Sequence, residues 1–379
     1  MTSPHSSSWI HILNDHYTPL YPSALATVTY EMSRCHVENN GEVQVAVRKG
    51  SLHDYPAGEG IELNFGPEVK RWQKMIDVTC GMVGMLRPFG SRHYQGITEE
   101  IKGSRSVILI HNAPDAVSVL KKANPQALVC LWSHNEFWRT YTRRELRTLV
   151  ATADRMICVS DYIASALKER LGTDSDKIRV VNNGVDIDRF KPASHAVDDP
   201  IISFIGRVYD SKGPHLLLQA AQILNKEERN FKVKIVGGVA ADSPDALPPY
   251  EKELRVLAEP LGDKVEFVAA LTRLEVIEEY QKASIFCVPS IWNDPCPLTV
   301  LEGMACGLAT VTTKRGGIPE MGADSVQYFD PDDPATLAQI LARLIDDPAA
   351  RRLWREKARA RAEAMSWEEQ YKALLKALN

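Results

Sequence analysis

Two carboxylates eight residues apart, Asp294 and Glu302, stand on either side of Pro297 in the run Val288-Pro289-Ser290-Ile291-Trp292-Asn293-Asp294-Pro295-Cys296-Pro297-Leu298-Thr299-Val300-Leu301-Glu302. A strand-like stretch ends at Pro289, and the pattern predicts a helix opening with Pro297 as its first residue. Proline suits that position because its missing N–H would be unpaired there anyway. The next N–H groups, of Leu298 and Thr299, point out of the helix start, where the dipole favours an anion such as a diphosphate. Thr299 adds a hydroxyl. Glu302 lies about one turn further in, within reach of a vicinal diol such as a ribose. Asp294 precedes the helix and can face the other end of the same ligand. The arrangement suits a nucleotide-sugar. The spacing equally fits an Asp that caps a loop and a Glu on a solvated helix face.

Arg207 and Lys212 are five residues apart on a short loop between an apolar strand, 201–205, and a helix starting near Pro214. Both can reach one diphosphate. When a nucleotide-sugar bond breaks heterolytically, negative charge grows on the leaving diphosphate, and fixed cations there favour the transition state over the ground state. Such cations replace a divalent metal, and no Asp-x-Asp pair is placed to hold one. The bland alternative is a pair of solvated loop charges. His134 ends another strand, 127–133. A lone histidine of this kind is more often structural than catalytic. Trp132, Phe137, Trp138 and Tyr141 cluster around it and suit either sugar stacking or core packing. Arg139, Arg143, Arg144 and Arg147 follow on one predicted helix. They fit an anionic acceptor, a membrane surface or a solvated face.

The elements that must hold these residues alternate between short β-rich runs and longer helical stretches. Strands are predicted at 9–13, 42–48, 107–111, 127–133, 155–160 and 177–182, with amphipathic helices such as 23–35 and 162–171 between them. Continuous apolar strands separated by helices imply a parallel sheet covered on both faces. Residues 50–106 resist ordering. Near residue 190 the alternation breaks at Phe190-Lys191-Pro192 and a polar stretch to Pro200. It restarts with strands at 201–205, 231–236, 265–268, 284–288, 309–313 and 326–328, and helices at 215–224, 250–257, 274–282, 298–306 and 335–345. The tail, 367–378, is one more amphipathic helix. The fold class is therefore α/β: two doubly wound Rossmann-like domains facing a central cleft, with ligands at the carboxyl ends of the strands. The expected division is an N-terminal acceptor domain at 1–190, a C-terminal donor domain at 195–362, and a final helix at 363–379 packing back on the first domain.

Composition agrees with an ordinary soluble globular protein: 379 residues, 44% hydrophobic, 25% charged, net charge −4. The halves before and after residue 190 carry +1 and −5. Neither shows the basic excess of a nucleic-acid binder. The seven cysteines form no Cys-x-x-Cys, which argues against a zinc site or disulfide framework and for a reducing compartment. The first nine residues lack a basic n-region and an apolar h-region, and no apolar run suits a membrane span. The expected location is cytoplasmic, with peripheral membrane contact left open.

Asp294-x7-Glu302, followed by Met304-Ala305-Cys306-Gly307, resembles the E-x7-E motif of retaining family 4 glycosyltransferases. Other landmarks occur in that family's order: Val159-Ser160, Asn183-Gly184-Val185-Asp186 with Phe190, Gly206-Arg207 with Lys212-Gly213, Gly316-Gly317-Ile318-Pro319-Glu320, and Ser366-Trp367. Ser133-His134-Asn135-Glu136 and Lys212-Gly213-Pro214-His215-Leu216-Leu217-Leu218 are most similar to the bacterial spore-coat-type subgroup. The resemblance covers roughly residues 107–375. It implies the GT-B fold and a metal-independent, retaining transfer of a hexose from a nucleotide-sugar to a saccharide, lipid-linked saccharide or small-molecule hydroxyl. No cofactor beyond the nucleotide-sugar is implied.

By the same resemblance Arg207, Lys212, Asp294 and His134 are the catalytic group. Glu302, Leu298, Thr299, Pro297, Cys296, Gly206 and Ser23 hold the donor, and Asn112, Glu136 and Trp138 meet the acceptor. His134 approaches the donor sugar and is not assigned as a general base, because in such enzymes the leaving phosphate oxygen takes the acceptor proton on the same face. UDP-sugars are expected over GDP-sugars, with glucose first, from the resemblance and the small Ala269-Ala270. Three features depart from the family pattern. The loop Tyr17-Thr18-Pro19-Leu20-Tyr21-Pro22-Ser23-Ala24 has no glycine where the family has Gly-Gly, which makes close backbone approach to phosphate harder. The first motif acid is Asp, one methylene shorter than Glu. Pro297 replaces a frequent glycine. The alternatives are a nucleotide-sugar-binding protein without catalysis, and a GT-B epimerase or phosphorylase. The phosphorylase needs a lysine-bound pyridoxal phosphate, for which no lysine stands out.

Overall fold

The computed structural model describes every residue except 1–7, 21–22, 84, 86, 195–196, 198 and 239–246. Tyr21 and Pro22 of the glycine-free loop thus lie outside the described residues. The chain divides into two compact units, residues 1–183 with Trp367–Asn379, and Gly184–Ser366.

The N-terminal unit is built on seven parallel strands: β1 (Trp9–Ile12), β2 (Val43–Arg48), β3 (Glu59–Leu63), β4 (Val107–His111), β5 (Leu128–Ser133), β6 (Arg155–Cys158) and β7 (Ile178–Val180). Their order is β3-β2-β1-β4-β5-β6-β7. β1 and β4 are buried along their whole length, as a sheet covered on both faces requires. The helices are α1 (Ala24–Glu38), α2 (Arg71–Met82), α3 (Pro88–Gln95), α4 (Pro114–Ala123), α5 (Arg143–Thr152) and α6 (Asp161–Leu171). β6 stops at Cys158, before the predicted end at 160, because Ser160 turns extended and caps α6 by accepting from the Ile163 N–H. Gly172, at φ 69°, closes that helix in the left-handed region.

The stretch that resisted ordering contains β3, α2 and α3, and its structure explains why. β3 is a half-exposed edge strand. α2 is inverted: its buried positions are Asp77 and Gly81, while Trp72, Met75, Ile76, Met82 and Val83 are exposed. Asp77 faces inward because its carboxylate accepts from the Phe89 and Gly90 N–H groups, both at 2.9 Å, and so caps α3.

The C-terminal unit has six parallel strands: β8 (Ile201–Ile205), β9 (Lys232–Val236), β10 (Val265–Val268), β11 (Ile285–Val288), β12 (Ala309–Thr313) and β13 (Gln327–Phe329), in the order β10-β9-β8-β11-β12-β13. The order reverses between β8 and β11. Loops leaving those two strands open a crevice at the sheet's carboxyl edge. Helices α7 (Pro214–Lys226), α8 (Pro249–Ala258), α9 (Glu275–Gln281), α10 (Leu298–Ala305), α11 (Ile318–Gly322), α12 (Pro334–Asp346) and α13 (Pro348–Glu363) cover the sheet. Leu217, Val233, Ile285, Val311 and Leu341 lie in its core. α13 had no counterpart in the apolar pattern. It is a charged helix whose arginines donate to backbone carbonyls. Arg359 reaches Ala305 O at 2.7 Å, Arg355 reaches Gly307 O at 2.8 Å, and Arg361 reaches Glu320 O at 2.7 Å. The first two bonds satisfy carbonyls where α10 ends and the third a carbonyl of α11, a task a sequence period does not display. The last helix, α14 (Trp367–Leu378), belongs to the N-terminal unit. Glu368 pairs with Arg34 on α1 at 2.8 Å, and the Tyr371 hydroxyl lies 2.9 Å from His36 Nδ1.

Candidate active site

In the C-terminal unit, three loops meet at the reversal point. β8 runs into Gly206, whose φ of 155° and neighbour Gly237 at φ 134° let two backbones pass. A Cβ on Gly237 would overlap the Gly206 carbonyl. After buried Val208, a 3-10 turn at Asp210–Lys212 delivers Gly213 at φ 72°, and Pro214 opens α7. A Cβ on Gly213 would overlap the Pro289 carbonyl, so glycine is required by conformation and by space. The loop after β11 is laced to this turn: the Ile291 and Trp292 N–H groups both donate to Ser211 O at 3.0 Å. The third loop supports Asp294 from behind. Gly317 N–H donates to Asp294 O at 2.8 Å, and Gly316 N–H donates to Asn293 Oδ1 at 3.2 Å.

This lacing brings Lys212 and Asp294 into a direct ion pair. Their side chains are 23% and 15% exposed, so a ligand can still compete for either. Nothing in their sequence spacing predicts this pair. Arg207 is exposed, its guanidinium 5.7 Å from the Tyr209 ring, and it has no carboxylate partner among the described residues.

The helix start differs from expectation by one position. Pro297, with φ −71° and ψ 119°, is the cap, and Leu298 is the first helical residue of α10. Leu298 and Thr299 are therefore the first and second helical residues instead of the second and third. Cys296 is buried, with Sγ 3.2 Å from Met321 Sδ, so its thiol is a packing group rather than a donor contact.

Glu302 is only 5% exposed, on the first turns of α10. It accepts from Arg273 Nη1 at 2.9 Å and from the Tyr280 hydroxyl at 3.1 Å. Burial and the Glu302 charge hold the Tyr280 phenol well above its usual range, so it stays a donor. A carboxylate has about four acceptor positions. Two are taken here. Arg273 and Tyr280 were missed by sequence reasoning. One readable signal existed: Thr272 and Glu275 form a capping box, each side chain meeting the other's backbone N–H, which fixes the loop carrying Arg273.

In the N-terminal unit, the order reverses between β1 and β4. Ser23 lies there, but its hydroxyl donates to Asp15 at 2.8 Å and accepts from Ala26 N–H at 3.3 Å. It is a helix cap whose proton is already used, not a free phosphate donor. Where the resembled family has glycines, Tyr17 is fully buried, its ring 4.9 Å from that of Tyr55 and its hydroxyl bonded to Ala57 O.

His134 follows β5. Its N–H donates to Asn112 Oδ1 at 2.8 Å, and Asn112 sits at φ 50° just after β4. Asn112 therefore positions His134. Trp138 is buried at 4% exposure and packs edge-on against Phe137, so its ring does not offer a stacking face. Glu136 pairs with Arg139 and accepts from the Tyr162 hydroxyl at 3.1 Å. The rest of the aromatic group is also structural: Trp132 is fully buried, and Tyr141 donates to Asp115 at 2.7 Å beneath the Arg87 guanidinium.

Behind His134 lie two more histidines. His111 Nδ1 is 2.9 Å from His134 Nε2, and His111 Nε2 is 2.8 Å from His11 Nδ1. Burial lowers all three acidities' midpoints, taking His134 down to about 3 and the other two well below the usual imidazole value. The sign of the consequence is fixed. Between the folded values and about 6.5, the unfolded chain binds protons that the folded chain refuses. The N-terminal unit should therefore lose stability as pH falls below about 6.5, by up to about 1.4 kcal/mol per pH unit for each histidine kept neutral. Melting temperatures measured from pH 7 to 5 should fall. A flat profile would contradict the buried neutral assignment.

Among the described residues, no three His, Cys, Asp or Glu side chains gather as a metal site. No described helix is long and apolar enough to cross a membrane.

Comparison with known proteins places this geometry. The model for glycosyl transferases group 1 matches residues 186–361, and that for glycosyltransferase family 4 matches residues 25–189. Spore coat protein SA of Bacillus subtilis is 26% identical over 299 residues, covering 73% of this chain and 79% of its own length. A D-inositol 3-phosphate glycosyltransferase of Corynebacterium jeikeium is 33% identical over 246 residues, covering 60% and 58%. Among solved structures, sucrose-phosphate synthase of Thermosynechococcus elongatus aligns over 97% of both chains with TM-score 0.75 and 18% identity. Anabaena HepE in complex with UDP and glucose aligns over 98% of this chain and 99% of its own, with TM-score 0.73 and 16% identity.

Proposed function

The chain belongs to the family 4 glycosyltransferases and has the GT-B pair of Rossmann-like domains, and on that footing we propose that it transfers a hexose from a UDP-sugar to a saccharide hydroxyl, with retention and without a metal. The observation that carries this reading is the Arg207–Lys212 loop laced to the Asp294 loop at the β8/β11 reversal point. Lys212 exchanges Asp294 for the donor diphosphate, joined by Arg207 and the N–H groups at the start of α10. Asp294, released, orients the sugar hydroxyls, and Glu302 holds the ribose. The anomeric C–O bond breaks with its electron pair going to the leaving phosphate oxygen. That oxygen takes the acceptor's proton as the acceptor oxygen bonds the same face of the sugar. The fixed cations oppose charge that appears only as the bond breaks, which is where stabilisation raises the rate.

Uridine as the base is supported by the small Ala269-Ala270 beyond β10 and by the UDP and glucose held in HepE. A donor panel read by thermal shift tests it. A ligand at a hundredfold excess over its Kd stabilises the fold by about 2.7 kcal/mol. UDP-glucose is expected to raise the melting temperature most. A larger rise with GDP-mannose than with any UDP-sugar would reverse the choice of base, and no rise with any nucleotide-sugar would contradict the reading.

Among saccharide, lipid-linked and small-molecule acceptors, α2 favours the lipid-linked class. Its outward stripe includes Trp72, Met75 and Met82, which are 56%, 67% and 71% exposed. The exposed charges on the helix, Arg71 and Lys74, are both cationic, while Asp77 is buried as a cap. An apolar stripe beside cations suits an anionic bilayer surface. In this reading the protein works in the cytoplasm, in keeping with seven cysteines that form no disulfide, and touches the membrane peripherally. The protein should cosediment with vesicles containing phosphatidylglycerol, and Trp72→Gln with Met75→Gln should weaken that. Equal sedimentation of wild type and variant would remove α2 from the account.

A further inference from the structure

The chain of imidazoles behind His134 decides what that side chain can do. The three rings run outward through one sheet: His11 inside β1 level with Leu109 of β4, His111 closing β4, His134 just past β5. The contacts are sequential, His11 Nδ1 to His111 Nε2 at 2.8 Å and His111 Nδ1 to His134 Nε2 at 2.9 Å. Trp132 stacks on the middle ring and on His134, with centroids 5.4 Å from His111 and 5.6 Å from His134. Neutral imidazole has one N–H and one lone pair, so protons along such a chain must all point the same way.

The inner end fixes the direction. His11 is fully buried, and its Nε2 has no hydrogen-bond partner. An N–H stranded there would forgo its hydration for nothing, and orphaned buried N–H groups are rarer than under-satisfied acceptors. The His11 proton therefore sits on Nδ1 and is donated to His111 Nε2. His111 then carries its proton on Nδ1 and donates it to His134 Nε2. The Thr29 hydroxyl does not reverse this. It donates to Leu25 O at 2.9 Å and is 3.5 Å from His111 Nε2, further than His11.

We propose that this relay fixes His134 with its proton on Nδ1, presented as a neutral hydrogen-bond donor, and that His111 and His11 are positioning residues that deny His134 the role of a general base. Its one basic nitrogen, Nε2, is filled by the His111 N–H. The Asn112 oxygen holds the His134 backbone at the same point. The ligand group that suits His134 is thus an acceptor oxygen, such as a sugar hydroxyl oxygen or a phosphate oxygen. This rests on the glycosyl-transfer reading and deepens it. A site whose histidine cannot accept a proton leaves the acceptor proton to the departing phosphate.

Long-range proton–nitrogen correlation spectra of the full chain, labelled with nitrogen-15, read each tautomer directly. His134 is expected with protonated Nδ1 and bare Nε2, and His111 likewise. A His134 signal with protonated Nε2 would overturn the proposal, and the wild-type spectrum alone suffices for that. His111→Asn keeps a donor near the Nδ1 position and should preserve the His134 tautomer and the donor kcat/KM. His111→Leu should release Nε2, shift the His134 tautomer and lower kcat/KM on the order of tenfold. A changed tautomer with unchanged kcat/KM in His111→Leu would refute the positioning role. If no nucleotide-sugar is turned over at all, the functional reading fails, while the spectra still decide the proton positions.

Discussion

Lys212→Ala is expected to lower kcat by 10²–10³, the scale on which removing one preorganised donor to a developing charge is felt, about 3–4 kcal/mol. KM for the donor should move less, because Lys212 meets charge that grows as the glycosidic bond breaks. Arg207→Ala should behave alike. The ion pair with Asp294 adds an outcome that a simple charge count would not give. In the free protein Asp294 competes with the diphosphate for Lys212. Asp294→Asn should therefore bind UDP more tightly than wild type while transferring sugar more slowly, since the sugar hydroxyls lose their acceptor. Steady-state kinetics and titration of UDP separate the two effects. Wild-type kcat in both Lys212→Ala and Arg207→Ala would make the loop a bystander.

Glu302→Gln should be felt in stability as well as in binding. Glu302 and Arg273 form an ion pair with the carboxylate almost fully buried. Removing one member of such a pair leaves the other uncompensated, at a cost of about 3–5 kcal/mol. Arg273 keeps some exposure, so the low end of that range is expected. Donor binding should weaken by a further 1–3 kcal/mol, roughly, if charged hydrogen bonds to the ribose are lost, with kcat nearly unchanged. A double-mutant cycle distinguishes the two losses. Glu302→Gln with Arg273→Met should recover stability because no charge is stranded, yet it should not recover donor affinity. Recovery of both would mean that Glu302 serves only the fold. Loss of kcat with intact binding would move chemistry onto Glu302.

The two parallel sheets were legible because buried parallel strands are near-continuous apolar runs, as at β4 and β8. Strand ends were less so, since they depend on which residue turns to cap the next helix, as Ser160 does after β6. The inverted helix α2 defeated periodicity. An apolar stripe normally marks the buried side, and here it marks the outer one. α13 escaped because its arginines bind carbonyls rather than bury an apolar stripe. At the site, loop positions were readable from glycines and prolines whose conformations admit little else, such as Gly213-Pro214. Pairings across the sequence were not. Nothing in the spacing joins Lys212 to Asp294, Glu302 to Arg273, or His134 to His111 and His11. The residues assigned by resemblance to donor or acceptor that the structure shows bonded to or packed on protein neighbours share one feature. Ser23, Cys296, Asn112 and Trp138 have chemistry that serves a ligand or a neighbour equally well, and only the fold decides which is near.

The central claim is that protein groups, and no metal, carry the charge of the leaving diphosphate. It is tested most directly by turnover of the donor that gives the largest thermal shift, followed as UDP release in EDTA. Magnesium and manganese are added back in parallel. The account predicts the same rate in EDTA as with either metal. Loss of transfer in EDTA, restored by magnesium or manganese, would contradict it.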